Sequence, residues 1–138
     1  MSTTTEPCRT TFADNVETYQ AALNSLFSNK PDDTEADLSK ILHPTFEQRD
    51  GEAVRDFAAF VAHIRWLREI LPPGSVNLTV TVFLRDGNQR AERHTSTTKT
   101  SDGDVTPAET FQFVELADDG RISSIVEAVR RGKPFRDD

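Results

Sequence analysis

Glu127 stands between Ile125 and Val129 in an alternating stretch near the end of the chain. A carboxyl on the apolar side of such a strand is starved of water, which raises its proton affinity toward the range where a general acid or base works near neutral pH. Arg93 and His94 are neighbours in Ala91-Glu92-Arg93-His94-Thr95-Ser96-Thr97. An inward Arg93 would hold a carboxylate ionised or bind a ligand oxygen through charge-assisted hydrogen bonds, and imidazole is the side chain suited to moving protons near neutrality. Asp50 closely precedes the longest helical pattern. Glu109 shares a strand face with Phe111 and Phe113, where Glu109 and Phe113 would line a pocket mouth. Phe60, His63 and Trp66 fall on one helical stretch and would shape an apolar cavity. Plainer readings stand beside these: Glu127 paired with an arginine on the sheet, Asp50 capping a helix, Arg93 and Glu109 as surface charges, and His63 with Trp66 in the core or a dimer seam. The three histidines, at 43, 63 and 94, sit on separate elements without ligand spacing, so no metal is expected. The six glycines are scattered singly at turns, so neither is a phosphate-binding cofactor.

These residues need elements to hold them. Residues 1–11 read as a flexible tail and 131–138 as another, leaving 12–130 as a single domain. Phe12, Val16, Tyr19, Leu23, Leu26 and Phe27 recur at helical spacing behind Thr11 as a cap. Leu38, Ile41 and Leu42 predict a short second helix starting at Asp33 or Thr34 and stopped by His43-Pro44. A short strand over 45–49 follows. Glu52 to Leu71 reads as the longest helix, with Phe57, Phe60, Val61, Ile64, Leu67 and Leu71 inside roughly 120° of arc, and Pro72-Pro73-Gly74 ends it. From Val76 the period becomes two, and Val76, Leu78, Val80, Val82 and Leu84 predict a strand with one buried face. With Asp86-Gly87 at the centre of a two-residue turn, Leu84 lies opposite Gln89 and Val80 opposite Arg93, so Arg93, Thr95 and Thr97 point where the valines point. With a three-residue loop, Glu92 and His94 take that face. Strands over 108–116 and 122–129 complete a meander, and helices followed by strands argue α+β, with helices on one face of an antiparallel sheet.

Composition narrows the partners. The chain has 138 residues, the size of one domain. Acidic residues number 23 against 16 basic ones, a net charge of −7 that disfavours nucleic acid. No apolar run approaches the length of a membrane span. Cys8 is the lone cysteine and has no internal disulfide partner. The opening residues lack the basic and apolar regions of a secretory leader, so a cytoplasmic protein with a small-molecule ligand is expected.

The helix-helix-strand-helix-meander order, together with Glu109-Thr110-Phe111-Gln112-Phe113, Asp119-Gly120-Arg121-Ile122 and Glu127, resembles the nuclear transport factor two-like superfamily. Within it the SnoaL-like polyketide cyclase and isomerase branch is the nearest likeness, covering about residues 12–130. Its last hairpin commonly carries an acid seven positions after the glycine, the place of Glu127 here; a second glycine usual in the middle strand is missing. The resemblance implies a cone-shaped barrel of about three N-terminal helices packed on a curved antiparallel sheet, enclosing a pocket and often forming a homodimer through the sheet. It also implies cofactor-independent acid/base chemistry (isomerisation, cyclisation, dehydration or hydrolysis) on an apolar oxygenated substrate, with a catalytic acid at Glu127 and a proton-shuttling aspartate near Asp50. Fold alone does not settle activity. The alternative is a non-catalytic ligand-binding or protein-interaction domain, because Thr95 stands where the epoxide hydrolases of this superfamily carry a second aspartate. A third possibility, an interior filled by the nine phenylalanines, is separated from the others by whether a cavity exists.

Overall fold

A computed structural model describes residues 9–136; Cys8, with the start of the expected tail, and 137–138 lie outside the described residues. The order is α1 (Val16–Ser25), α2 (Thr34–Ile41), β1 (Leu42–Asp50), β2 (Ala53–Asp56), α3 (Phe57–Ile70), β3 (Val76–Asp86), β4 (Gln89–Lys99), β5 (Asp104–Leu116), β6 (Ile122–Arg131) and β7 (Phe135–Arg136). The architecture is α+β, with three helices on a curved, unclosed sheet of order β2-β1-β6-β5-β4-β3, and β7 paired to β5. In one respect the expectation of an antiparallel sheet is corrected: β1 runs parallel to β6, with Asp50 the register partner of Glu127. Parallel neighbours need a long crossover, and the whole of β2 through β5 supplies it. Among the described residues no helix is long and apolar enough to cross a membrane.

Local chemistry sets where the helices begin. Asn15, not Thr11, caps α1, its side chain accepting from the Thr18 N–H at 3.0 Å. Residues 53–56 pair with β1 instead of joining the long helix. Asp56 therefore caps α3 by accepting from the Ala59 N–H at 2.9 Å, which supplies an orphan amide of the first turn with its acceptor. Asp50 is thereby released from any capping duty and ends β1. The interior is built from Tyr19, Leu23, Leu38, Phe46, Phe60, Ile64, Ile122 and Ile125, with the Phe46 and Phe60 rings edge to face at 5.0 Å.

The β3–β4 hairpin turns one residue later than the sequence suggests. Gly87 and Asn88 are its central residues, Gly87 with φ 57°, and Leu84 pairs with Ala91 rather than Gln89. Farther along, Thr81 has no partner on β4: Val82 pairs with Arg93 but Val80 pairs with His94. This bulge resolves the open choice of face. Below it the buried Leu78 and Val80 share a side with His94; above it Val82 and Leu84 turn outward with Arg93. Arg90, Glu92 and His94 are the buried residues of β4, so Glu92 and His94 face inward although the loop has only two residues.

The helices stand over the two edges of the sheet. Of the sheet strands, α1 packs chiefly on β3, and α3 on β1 and β2. The inner faces of β4, β5 and β6 are left open beneath them.

Candidate functional site

That opening is a cavity of about 540 Å³, within the roughly 300–1,000 Å³ usual for small-molecule sites. Phe60, Ile64, Leu67, His63 and Trp66 line it from α3, and Ser96, Thr110, Gln112, Ile125 and Val129 from the sheet. The phenylalanines do not fill the interior. One wall is apolar and helical; the other is apolar sheet studded with hydroxyl and amide groups. Asp50, His94 and Glu127 all reach this cavity.

A polar row crosses the inner face. Asp50 on β1 pairs with Glu127 on β6, Glu127 with Gln112 on β5, and Gln112 with Glu92 on β4. The Gln48 amide donates to Glu127 Oε1, while Gln48 Oε1 accepts from Arg55 at 3.2 Å. From α1, the Tyr19 hydroxyl donates to Gln112 Oε1 at 3.1 Å. Burial pushes the Glu127 carboxyl up from the usual carboxylate range; the Gln48 hydrogen bond opposes this, the Asp50 charge adds to it, and Gln112 and His94 oppose it more weakly. Burial likewise pushes the Tyr19 phenol far up, reinforced by Glu92 and Glu127, so it stays a hydrogen-bond donor. His63 at the cavity is held below the ordinary imidazole value by burial and by Arg55. A carboxyl with raised proton affinity, held in place by an amide and open to a cavity lined by apolar side chains, can take a proton from carbon or give one to oxygen.

Phe60 is buried at the cavity wall, His63 is half-buried, and Trp66 is 52% exposed at the mouth. Arg93, Glu109 and Phe113 do not join them, a correction to the expected pocket set. Alternation on β4 and β5 sends all three to the outer face of the sheet. There Arg93 Nε donates to Glu109 Oε2 at 2.8 Å, and the guanidinium lies 6.0 Å from the Phe111 ring centre. Phe113 is 70% exposed.

Sequence reasoning passed over Gln48, Gln112 and Tyr19. Each carried a faint signal: the glutamines sit two residues from Phe46 and between Phe111 and Phe113, and Tyr19 is the one phenol in an apolar helical stripe. A polar group at a position that the pattern assigns to the core needs a partner.

No protein-family model matches this sequence, and no curated protein matches it significantly. Solved structures do resemble its fold. An epoxide hydrolase of the limonene epoxide hydrolase-like type from Mycobacterium tuberculosis superposes with a TM-score of 0.64 at 17% identity, covering 88% of this chain and 84% of that one. A SnoaL-like family protein from Agrobacterium tumefaciens gives 0.61 at 18% identity over 88% of this chain and 99% of its own. A de novo designed protein of the nuclear transport factor two fold gives 0.57 at 16% identity over 88% of each chain. The fold is the nuclear transport factor two-like cone shared with SnoaL-like proteins.

Proposed function

We propose that this protein is a small-molecule enzyme that carries out cofactor-independent acid/base chemistry (isomerisation, cyclisation, dehydration or hydrolysis) on an apolar oxygenated substrate held in the cavity. The reading rests on one observation: the Glu127 carboxyl, its proton affinity raised by burial, opens on a 540 Å³ cavity walled largely by apolar side chains. Glu127 is the acid or base. Asp50, its register partner, raises its proton affinity and is a second carboxylate within the cavity. His94 offers imidazole from β4, on the same inner face of the sheet. Phe60, His63 and Trp66 bound the substrate's apolar body.

Two probes test this: exchange of the α-protons of 2-tetralone in deuterated water, and hydrolysis of styrene oxide. The wild type is expected to accelerate at least one, and Glu127→Gln to return it to the buffer rate with the circular dichroism spectrum intact. Equal rates for the two proteins would overturn the catalytic reading; saturable binding of 2-tetralone without turnover would then favour a ligand-binding domain.

We also propose a homodimer through the outer face. Leu84, Ala91, Phe113 and Val126 form one continuous cross-strand row, and Val82, Arg93, Phe111 and Ala128 the next. Leu84, Phe113, Val126, Val82 and Phe111 are exposed there. A broad apolar face of this kind marks an interaction surface, and a second copy offers the same self-matching rows.

A further inference from the structure

Among the described residues, three charged side chains are sealed almost completely from solvent: Arg68, Arg90 and Glu92. Two have evident structural work. Arg68 donates to the Ser25, Leu26 and Lys30 carbonyls, and Arg90 to those of Ala13, Gly87 and Gln89. Glu92 differs. Its only side-chain hydrogen-bond partner among the described residues is His94 Nδ1, at 2.7 Å from Oε1 and 3.1 Å from Oε2. A fully buried carboxylate costs several kcal/mol of lost hydration, and one donor is thin compensation; an apolar residue of similar volume would serve stability at least as well.

His94 shows what this carboxylate addresses. Its Nδ1 is engaged and its Nε2 bonds to no protein atom, yet every side-chain nitrogen and oxygen sealed from solvent among the described residues has a partner. Nε2 is therefore open, and the space that His94 lines is the cavity. Spacing of two on a strand puts both side chains on one face, so the pair Glu92 and His94 is set by β4 alone.

We propose that Glu92 is a positioning residue that keeps a proton on Nδ1 of His94, so that Nε2 faces the ligand as the second proton carrier, partner to Glu127. This rests on the acid/base reading of the cavity. With Nδ1–H committed to Glu92, Nε2 is the atom that gains and loses a proton. Two strand spacings of about 4.8 Å each separate β4 from β6, and His94 lies in the row of Thr110 and Val129, two residues along from that of Glu127, so His94 and Glu127 address different atoms of one ligand. For an enolisable ketone the balance closes. With His94 entering as the imidazolium, Glu127 takes a proton from the α-carbon while Nε2–H gives its proton to the carbonyl oxygen, forming the enol and leaving neutral His94 with its proton on Nδ1. Protonated Glu127 then returns its proton to carbon, the enol hydroxyl returns its proton to Nε2, and the carbonyl reforms with both groups restored.

The test reads the tautomer and the rate separately. Long-range proton–nitrogen correlation spectra of the free, nitrogen-15-labelled protein at mildly alkaline pH report which ring nitrogen of His94 carries the proton. The wild type is expected to show it on Nδ1. Glu92→Gln, which keeps an acceptor, should retain it there, and Glu92→Leu should release it to Nε2. A wild-type proton on Nε2, or an unchanged tautomer in Glu92→Leu, overturns the proposal; if the leucine variant does not fold, Glu92→Ala is read in its place. In 2-tetralone exchange, Glu92→Leu and His94→Phe should each lose about 100-fold, and the double variant no more than either. Losses that multiply in the double variant would also overturn it. Should Glu127→Gln retain full exchange while the tautomer results stand, the catalytic reading of Glu127 fails and the positioning of His94 by Glu92 survives.

Discussion

Glu92 and Glu127 occupy the same cross-strand row of the sheet with only Gln112 between them. Tyr19 descends from α1 to donate to that glutamine, and both carboxylates bear on its phenol. Gln112 thus spaces two acids, Glu92 buried and Glu127 half-buried, that would otherwise repel. One acid faces a histidine and the other a cavity, so neighbouring carboxyls acquire different surroundings and different tasks.

Stability should reveal the half-buried acid. Because burial raises Glu127 above the usual carboxylate range, the folded state binds its proton more tightly than the unfolded state. Stability is therefore fullest below the ordinary glutamate value and falls as pH rises toward the raised one. Glu127→Gln lacks that decline, so melting temperatures across acid to neutral pH should diverge in the variant's favour as pH increases; parallel curves would contradict the burial.

Arg68 ties the end of α1 and the following loop to α3. Besides three carbonyls it meets Asp37 Oδ2 at 3.0 Å, and Asp37 is held below the usual carboxylate range first by Asn29 and then by Arg68. Replacing it by methionine strands these acceptors, and urea unfolding should register a loss of about 3 kcal/mol.

Two glycines separate backbone strain from collision. Gly51 and Gly120 both have positive φ, but a Cβ at Gly51 meets open space while one at Gly120 falls 2.1 Å from the Thr10 carbonyl oxygen. Gly51→Ala should cost about 1 kcal/mol from backbone conformation. Gly120→Ala should cost well above that in the same denaturation experiment, because backbone must move.

Phe113 is the most exposed aromatic of the outer face. Phe113→Glu should convert the proposed dimer to a monomer in light scattering coupled to size exclusion, with 2-tetralone exchange per chain retained. A wild type that is monomeric at high concentration removes the dimer.

Much of this was readable in the chain, and the misses have physical causes. The apolar stripe from Phe57 to Leu71 announces α3, but helical spacing beginning at Glu52 conceals that Ala53–Asp56 pairs with β1; tertiary pairing overrides a local pattern. Glu127 could be placed at an apolar wall because its neighbours alternate. Arg93 could not be placed, since the face of a strand depends on a turn and a bulge that leave no mark in the periodicity. The parallel contact of Asp50 with Glu127 was equally hidden, because the two lie at distant points of the chain and nothing local selects the partner.

The unpaired Thr81 has a consequence beyond register. Strict alternation would commit every aliphatic side chain from Val76 to Leu84 to the interior. The additional residue divides them, sending Leu78 and Val80 inward and Val82 and Leu84 outward, and brings Phe83 against Tyr19 with ring centres 5.3 Å apart. Gaining or losing one codon at that point would therefore exchange what this strand contributes to chamber and exterior at once, while the Glu92 and His94 pair on the facing strand kept its place. Ligand choice and self-association share a single hinge of sequence, and a lineage could alter both in one step.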